Sequence, residues 1–505
     1  MTAHGGLFSF IHLCFFFTLD YSHALENIIK ENWNRLSHPK KVYELYKLLN
    51  FECLWLCNDK ETNNFYALQD ILKHIPYHGI KPRESKSLDP ELALTDELID
   101  IAYKLYYGSA DPSKLYKGWN LPKKPDQVIN ILASLLKEGR IRDLLIELSP
   151  KSGEYWFLVE QAKYLESLSH FEWKPIKLKR NLKLGDKGPC LDEIRFRLFL
   201  LGDLKEYKNS DVFDQELIDA IKSFQKRHGL PETGLIDKKT IQELNISPAD
   251  RLKQVLLNLE KHRWIYQPFK RVLIVNIPSF ELYIMEEDRV IFYSKVIVGR
   301  DYREDFRPTP MLFSKIESIT INPKWYVPTS ISVKDILPKV KKDPRYLIKK
   351  GFKVFYMGEE VDPLQIDWRL YDENNFPFRL VQEAGPKNAL GRIKFNFPNP
   401  FQVFLHDTPD KHLFKHTKRT FSSGCIRVEK AEYLALYLLG QGWTQERLKA
   451  LIEQGQTINL KLKEAMPIYI LYFTAFGRDG KLHFREDLYG YDTILSQVLF
   501  SSGGR

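Results

Sequence analysis

Cys425 lies in "FSSGCIRV", residues 421 to 428, and His406 lies in "LHDTP", 19 residues upstream. A free thiol is only a few per cent thiolate at neutral pH, so a nucleophilic cysteine needs a base or a cation beside it. Three histidines precede Cys425. His406 closes the apolar run "QVFL", which reads as a strand end and hence a rigid position; His412 and His416 sit in the charged stretch "PDKHLFKHTKRT", which reads as a solvated loop. His406 is therefore the expected base, taking the thiol proton and later returning one to a leaving amine. Ser422, Ser423, Gly424 and Cys425 form a small-residue turn whose backbone N–H groups, those of Ser423 and Gly424 above all, are candidate oxyanion donors. The helix expected from about Glu429 would add a partial positive field. Arg427, two residues on along an extended segment, shares the face of Cys425. It is a candidate for pairing with a substrate carboxylate, or else forms an ordinary structural ion pair. These residues suit acyl transfer through a thioester; a buried, inert thiol is the other reading they allow.

The elements that must position this chemistry fall into blocks. Residues 25–180 are mainly helical: "TDELIDIAYKLYYG" puts Leu98, Ile101, Ala102 and Leu105 on one face with Gly108 as a stop. "PDQVINILASLLKEG" does the same with Val128, Ile131, Leu132 and Leu135, capped by Asp126 and ended by Gly139. Nothing here gathers catalytic side chains, so this block is expected to be a scaffold. Residues 181–247 predict three amphipathic helices, the second and third opened by Asp214 and Asp237, in a unit about as small as can bury its own core. From 265 to 460 the texture turns to β-branched and aromatic runs, the pattern of a mostly β domain. An insertion over 322–380, opening with "NPKWYVPTSI", reads as a lid or a simple structural excursion. The tail, 461–505, predicts a hairpin about Asp479-Gly480 that completes the β domain or returns to the scaffold.

Composition narrows the setting. The chain has 505 residues and a net charge of +10, which favours anionic surroundings such as wall polymers; no basic run with interleaved aromatics marks it for nucleic acid. Residues 1–24 resemble a signal peptide: an apolar core from Leu7 to Leu19, too short to span a bilayer, then small residues at Ser22 and Ala24. Membrane contact is thus expected only through that transient segment. Five cysteines are too few for a disulfide scaffold, and Cys14 would leave with the signal. Cys53 and Cys57 either pair in an oxidising compartment or stay as buried thiols.

Two resemblances sharpen this. Phe213, Leu217, Ala220, Ile221, Phe224, Gln225, His228, Gly229, Gly234, Asp237, Thr240 and Leu244 follow the order of the peptidoglycan-binding type 1 family, which implies binding of wall glycan or stem peptide. "HDTP…LF…R.FSSGCIRV", with "NALGRIKFNFPNPFQVFLHDTP" and "FREDLYGYD", resembles the L,D-transpeptidase (YkuD) family, in particular its large YcbB-like branch. The implied architecture is multidomain α+β: a helical scaffold, a small three-helix wall-binding domain and a mostly β YkuD-type catalytic domain with an inserted lid. The resemblance implies Cys425 as nucleophile and His406 as its base. It also implies the backbone carbonyl of Asp407 as the group orienting the imidazole. The insertion, with Trp325 and Tyr326, is expected to lie as a lid over the stem peptide, and the expected mechanism needs no metal or cofactor. A periplasmic wall enzyme acting on stem peptides, with wall-synthesis proteins as partners, is expected. A non-catalytic wall binder or another wall-directed cysteine acyltransferase or amidase is the alternative. A sortase fits poorly, since its His lies much further upstream and its Arg several residues later.

Overall fold

The computed structural model describes residues 23–501. The signal-peptide reading, with Cys14, falls almost wholly outside these residues. Among the described residues no helix is long and apolar enough to cross a membrane.

The scaffold is built from helices including Pro39–Leu48, Asn63–His74, Pro90–Tyr107 and Val128–Lys137. The predicted apolar stripe of Pro90–Tyr107 is fully buried, and Gly108 ends the helix at φ 96°. Val128–Lys137 begins one residue later than expected: Gln127 is the cap, and Asp126 only approaches the Val128 N–H at 3.4 Å. Cys53 and Cys57 are joined as a disulfide. The backbone N–H groups of Leu54, Trp55 and Leu56 inside that small ring all donate to the buried Glu91 carboxylate.

The second unit holds the three expected helices, Cys190–Leu200, Gln215–Arg227 and Lys238–Leu244. Asp214 and Asp237 cap the last two through the N–H groups of Leu217 (2.9 Å) and Thr240 (2.8 Å). Its polar motif residues serve the fold. Gln225 donates to Thr233, Leu235 and Thr240 and accepts from Gly234 N–H, while buried His228 contacts the Phe224 carbonyl through Nδ1.

The β domain is a closed barrel. Its strands are β1 (Arg271–Asn276), β2 (Glu281–Glu286), β3 (Arg289–Gly299), β4 (Leu312–Ile321), β5 (Ile393–Asn396), β6 (Leu405–His406), β7 (Thr420–Ser422), β8 (Ile426–Val428) and β9 (Ile458–Leu471). They pair in the order β7-β3-β8-β6-β5-β4-β9-β1-β2, and β2 also pairs with β3, which closes the ring and leaves only β7 outside it. Most pairs are antiparallel; β6–β8, β9–β1 and β7–β3 are parallel. Alternation fills the interior with residues such as Ile319, Ile321, Phe395, Leu405, Ile426 and Val428. A separate subdomain is inserted between Ile321 and Ile393, longer than the 322–380 expected. It has its own core about Ile336, Val340, Leu347, Val354, Trp368 and Phe378.

The helix Pro248–Arg263 joins the units. Its fully buried Glu260–Arg263 pair (2.5 Å) reaches into the scaffold. Glu260 accepts from Ala110 N–H (2.8 Å), and Arg263 donates to the His78 carbonyl (2.7 Å) and the Tyr155 hydroxyl (3.2 Å). The tail forms the hairpin Ala475–Arg478/Lys481–Phe484, which packs on the scaffold helix Gly153–Leu168 and on Gln215–Arg227. The tail takes both expected destinations: residues 461–471 complete the barrel as part of β9, and the hairpin returns to the scaffold, where Gly477 N–H donates to Glu154 (2.6 Å), while Arg478 pairs with Glu281 of β2 and Arg227 of the second unit donates to the Leu482 carbonyl at 2.6 Å.

Removing one member of a buried ion pair strands the other charge, at about 3–5 kcal/mol. Glu260→Ala is therefore expected to lower the thermal unfolding midpoint sharply. Converting both Glu260 and Arg263 to Met should recover part of the loss; scanning calorimetry of the three proteins checks this.

Candidate active site

Strands β6 and β8 position the two key side chains. Their parallel register sets Leu405 opposite Ile426 and His406 opposite Arg427, and Ile426 N–H donates to the Phe404 carbonyl (3.2 Å). Leu405 and Ile426 point into the barrel, so the alternate residues Phe404, His406, Cys425 and Arg427 share its outer face. Continuing the register sets Cys425 beside Phe404, one diagonal step from His406. Lys394 of β5 is paired with His406 and joins the same face.

His406 is buried, and its Nδ1 sits against the carbonyl of Asp407. That contact leaves Nε2 as the nitrogen available to the thiol. The Asp407 carboxylate has other work, binding Lys411 and the Arg392 N–H (2.9 Å). Gly391 is required beside it: a Cβ there would lie 2.4 Å from Asp407 Oδ2, and its φ is 65°. His412 and His416 lie exposed in the following loop.

Burial pushes the Cys425 thiol up to about 11, partly offset by a backbone hydrogen bond from Phe404 and by the charges of Lys394 and Arg427. Burial, then the Arg427 charge, pushes His406 down to about 3. Both groups are thus neutral at rest: the imidazole is free to accept a proton, and the imidazolium it would become is a strong acid, suited to protonating a leaving amine.

Two expectations about the turn are corrected. Gly424 N–H is not open, because it donates to Ser422 Oγ (3.1 Å), which itself donates to the Cys425 carbonyl. Ser422 thereby stitches the turn, with Gly424 at φ 123°, and Thr309 Oγ1 holds the Gly424 carbonyl at 2.8 Å. The N–H groups of Ser423 and Cys425 take no protein acceptor among the described residues, so Cys425 replaces Gly424 as the candidate donor beside Ser423. Second, strand β8 intervenes before the next helix, which starts at Ala431, so that helix does not open at the thiol.

Arg427 is half-buried and has no ion pair among the described residues, unlike the structural pair weighed above. Trp325 packs against Phe352 in the core of the insertion, not towards the site, and Tyr326 is 72% exposed. The insertion reaches the nucleophile turn by a different residue. Asp335 pairs with Arg307 through both oxygens (2.6 and 2.7 Å), and Arg307 also donates to Ser423 Oγ (2.9 Å). Sequence reasoning missed Thr309, Arg307, Asp335 and the stitching role of Ser422. They lie far from Cys425 in the chain or, for Ser422, look like any small turn residue.

Residues 270–457 match the family model described as the L,D-transpeptidase catalytic domain (YkuD). The chain carries a YkuD-type catalytic domain. Residues 40–161 match a model described as "Scaffold domain", and residues 197–244 one described as "Putative peptidoglycan binding domain". A Haemophilus influenzae protein named "Putative L,D-transpeptidase" is 36% identical over 290 residues, a stretch covering 56% of this chain and 57% of that protein. Among solved structures, an L,D-transpeptidase from Stackebrandtia nassauensis is 15% identical with a TM-score of 0.23, covering 59% of this chain and 97% of its own. One from Mycobacterium smegmatis is 10% identical with a TM-score of 0.19, covering 40% and 58%. The YkuD-type match covers β1 to β8 and includes both Cys425 and His406, ending just before β9, while the peptidoglycan-binding match begins within the helix Cys190–Leu200.

Because the thiol deprotonates only near 11, its thiolate fraction climbs about tenfold per pH unit below that value. Alkylation of Cys425 by iodoacetamide, followed by intact mass, should accelerate steadily from pH 7 to 10. A rate already level above pH 7 would instead reveal a preformed thiolate–imidazolium pair.

Proposed function

We propose that the protein is an exported cell-wall L,D-transpeptidase of the large YcbB-like branch. Cys425 gives its proton to His406 and attacks the carbonyl at the L-centre of diaminopimelate in a tetrapeptide stem. The terminal D-alanine leaves with the proton returned by His406, and a thioester remains on Cys425. The side-chain amine of a second diaminopimelate then attacks, His406 accepts its proton, and a 3→3 cross-link forms as the thiol is released. N–H groups of Ser423 and Cys425 stabilise the oxyanion, and the unpaired Arg427 holds a stem carboxylate. Tyr326 on the exposed edge of the insertion meets the stem peptide, and the Asp407 carbonyl holds the imidazole tautomer. Each step uses only side-chain and backbone groups of this chain.

The carrying observation is the β6–β8 register, which puts the thiol and a backbone-anchored imidazole on one face within a diagonal step. The peptidoglycan-binding match supports a wall substrate, and the Cys53–Cys57 disulfide is in keeping with an oxidising, periplasmic setting. The insertion serves as a lid, latched by Asp335 to Arg307 beside the nucleophile turn, that keeps water from the thioester.

Incubation with a carbapenem should add one drug mass to the protein, and Cys425→Ala should abolish the adduct. Unchanged mass for the wild type would favour a wall binder without catalysis. With purified disaccharide-tetrapeptide, His406→Ala should cut product formation by at least about a hundredfold, a typical contribution of a general acid–base group. Its circular dichroism should be unchanged. Asp335→Ala should raise the ratio of hydrolysis to cross-linking in the same muropeptide analysis; an unaltered ratio would remove the latch from the mechanism.

A further inference from the structure

Around Lys394 and Phe404, the register neighbours of His406 and Cys425, a cavity of about 440 Å³ lies against the outer barrel face. Lys394, Asn396, Gln402, Phe404, Ser318 and Glu317 are among its lining residues. Its wall is rigid. Asn399 ties the 397–403 turn by donating to the carbonyls of Phe397 and Val403 and accepting from the N–H groups of Phe401 and Val403. Asn396 Nδ2 is held by the hydroxyls of Ser318 (3.1 Å) and Thr320 (2.9 Å).

Lys394 stands at the catalytic end. It is paired with His406 across β5–β6, and its Nζ lies 4.2 Å from the Phe404 ring centroid, over the residue whose register neighbour is Cys425. Among the described residues its ammonium has neither an ion pair nor a hydrogen-bond acceptor. A half-buried cation of this kind costs desolvation, and the Phe404 ring face offsets only part of that cost, so a ligand anion is its natural partner.

We infer that this cavity is the acyl-acceptor subsite and that Lys394 selects acceptors carrying a carboxylate on the same carbon as the attacking amine. The inference rests on the transpeptidase reading and deepens it. The D-centre of diaminopimelate and free D-amino acids both have this arrangement. Holding the carboxylate at Lys394 aims the neighbouring amine at the thioester on Cys425. The new C–N bond forms as the C–S bond breaks, and the proton lost by the amine passes through His406 to the departing sulfur. Lys394 is a specificity residue in this account, and the donor's own carboxylate belongs to Arg427.

The test is a competition on one enzyme. Disaccharide-tetrapeptide is the donor, and equal concentrations of D-methionine and D-methioninol, in which the carboxylate is replaced by a hydroxymethyl group, are the acceptors. Mass analysis counts the two exchange products. Wild type should favour D-methionine by about tenfold or more, the loss expected for one charge-assisted contact. Lys394→Met should bring the ratio near one, and Lys394→Arg should keep it well above one. Because the readout is a ratio, any slower thioester formation caused by losing a cation near the thiol cancels. A wild type indifferent to the carboxylate, or a Lys394→Met protein that still prefers D-methionine, overturns the inference. Failure of the wild type to form any thioester with the donor would overturn the transpeptidase reading itself and is seen separately in the intact mass.

Discussion

Everything at the site depends on one piece of backbone pairing, the parallel contact between β6 and β8. Because side chains alternate along a strand, slipping either partner by one residue would send Cys425 or His406 into the barrel. The register is pinned from the inside, where Leu405 and Ile426 are completely buried. Expelling water from those two apolar side chains fixes which residues face outward. The closed ring leaves no free edge on either strand, since β5 flanks β6 and β3 flanks β8. Cys425 and His406 are thus placed by hydrophobic packing on the opposite side of the sheet, and local polar contacts finish the alignment. Those contacts are few: the Asp407 carbonyl at Nδ1, Ser422 across the turn, and Thr309 on the Gly424 carbonyl.

Burial supplies the chemistry as well as the geometry. A thiol raised to about 11 and an imidazole lowered to about 3 form no stable ion pair at rest. Such a thiol resists adventitious oxidation and alkylation. The structure compensates with two cations that carry no counter-ion among the described residues, Lys394 and Arg427. Both charges favour the thiolate form of Cys425, and in the proposed reaction an anionic substrate would complete their charge balance.

Much of this was legible in the sequence, for identifiable reasons. The three-helix unit announces itself because Asp214, Asp237 and Gly229 mark its turns and a 3.6-residue apolar period marks its faces. Cys425 and His406 stand out because a small-residue turn and a strand end are local features. The YkuD-type domain, the peptidoglycan-binding unit and the overall multidomain class follow from such local order and are matched by the comparisons. What could not be read were contacts made across long chain separations. Asp335 and Ser423 are 88 residues apart in sequence, and nothing near Asp335 indicates that it will meet the nucleophile turn. Trp325 misled because an exposed-looking aromatic after Asn-Pro-Lys is also what begins a small hydrophobic core. Gly424 misled because a backbone N–H is silent in the sequence about the serine two residues before it.

The two sides of Cys425 are built differently, and the difference bears on how one thiol handles two peptides. On the side of the turn, Arg307 and Asp335 form a charged latch between the barrel and an inserted subdomain with its own core. In the proposed lid role that subdomain would move as a unit once the latch opens. On the other side, the cavity wall is fixed by Asn399 and Asn396 and belongs to the barrel itself. A movable wall suits the reactant that must bring in a bulky stem, react and release a fragment. A fixed wall suits the reactant that need only present an amine at one angle. For the proposed reaction this architecture favours one order of events. The donor would enter while the latch is open, closure would protect the thioester, and the acceptor would approach along the rigid face without requiring the lid to reopen. Water would be excluded on the side that closes, and on the side that stays open the amine would compete with it by binding.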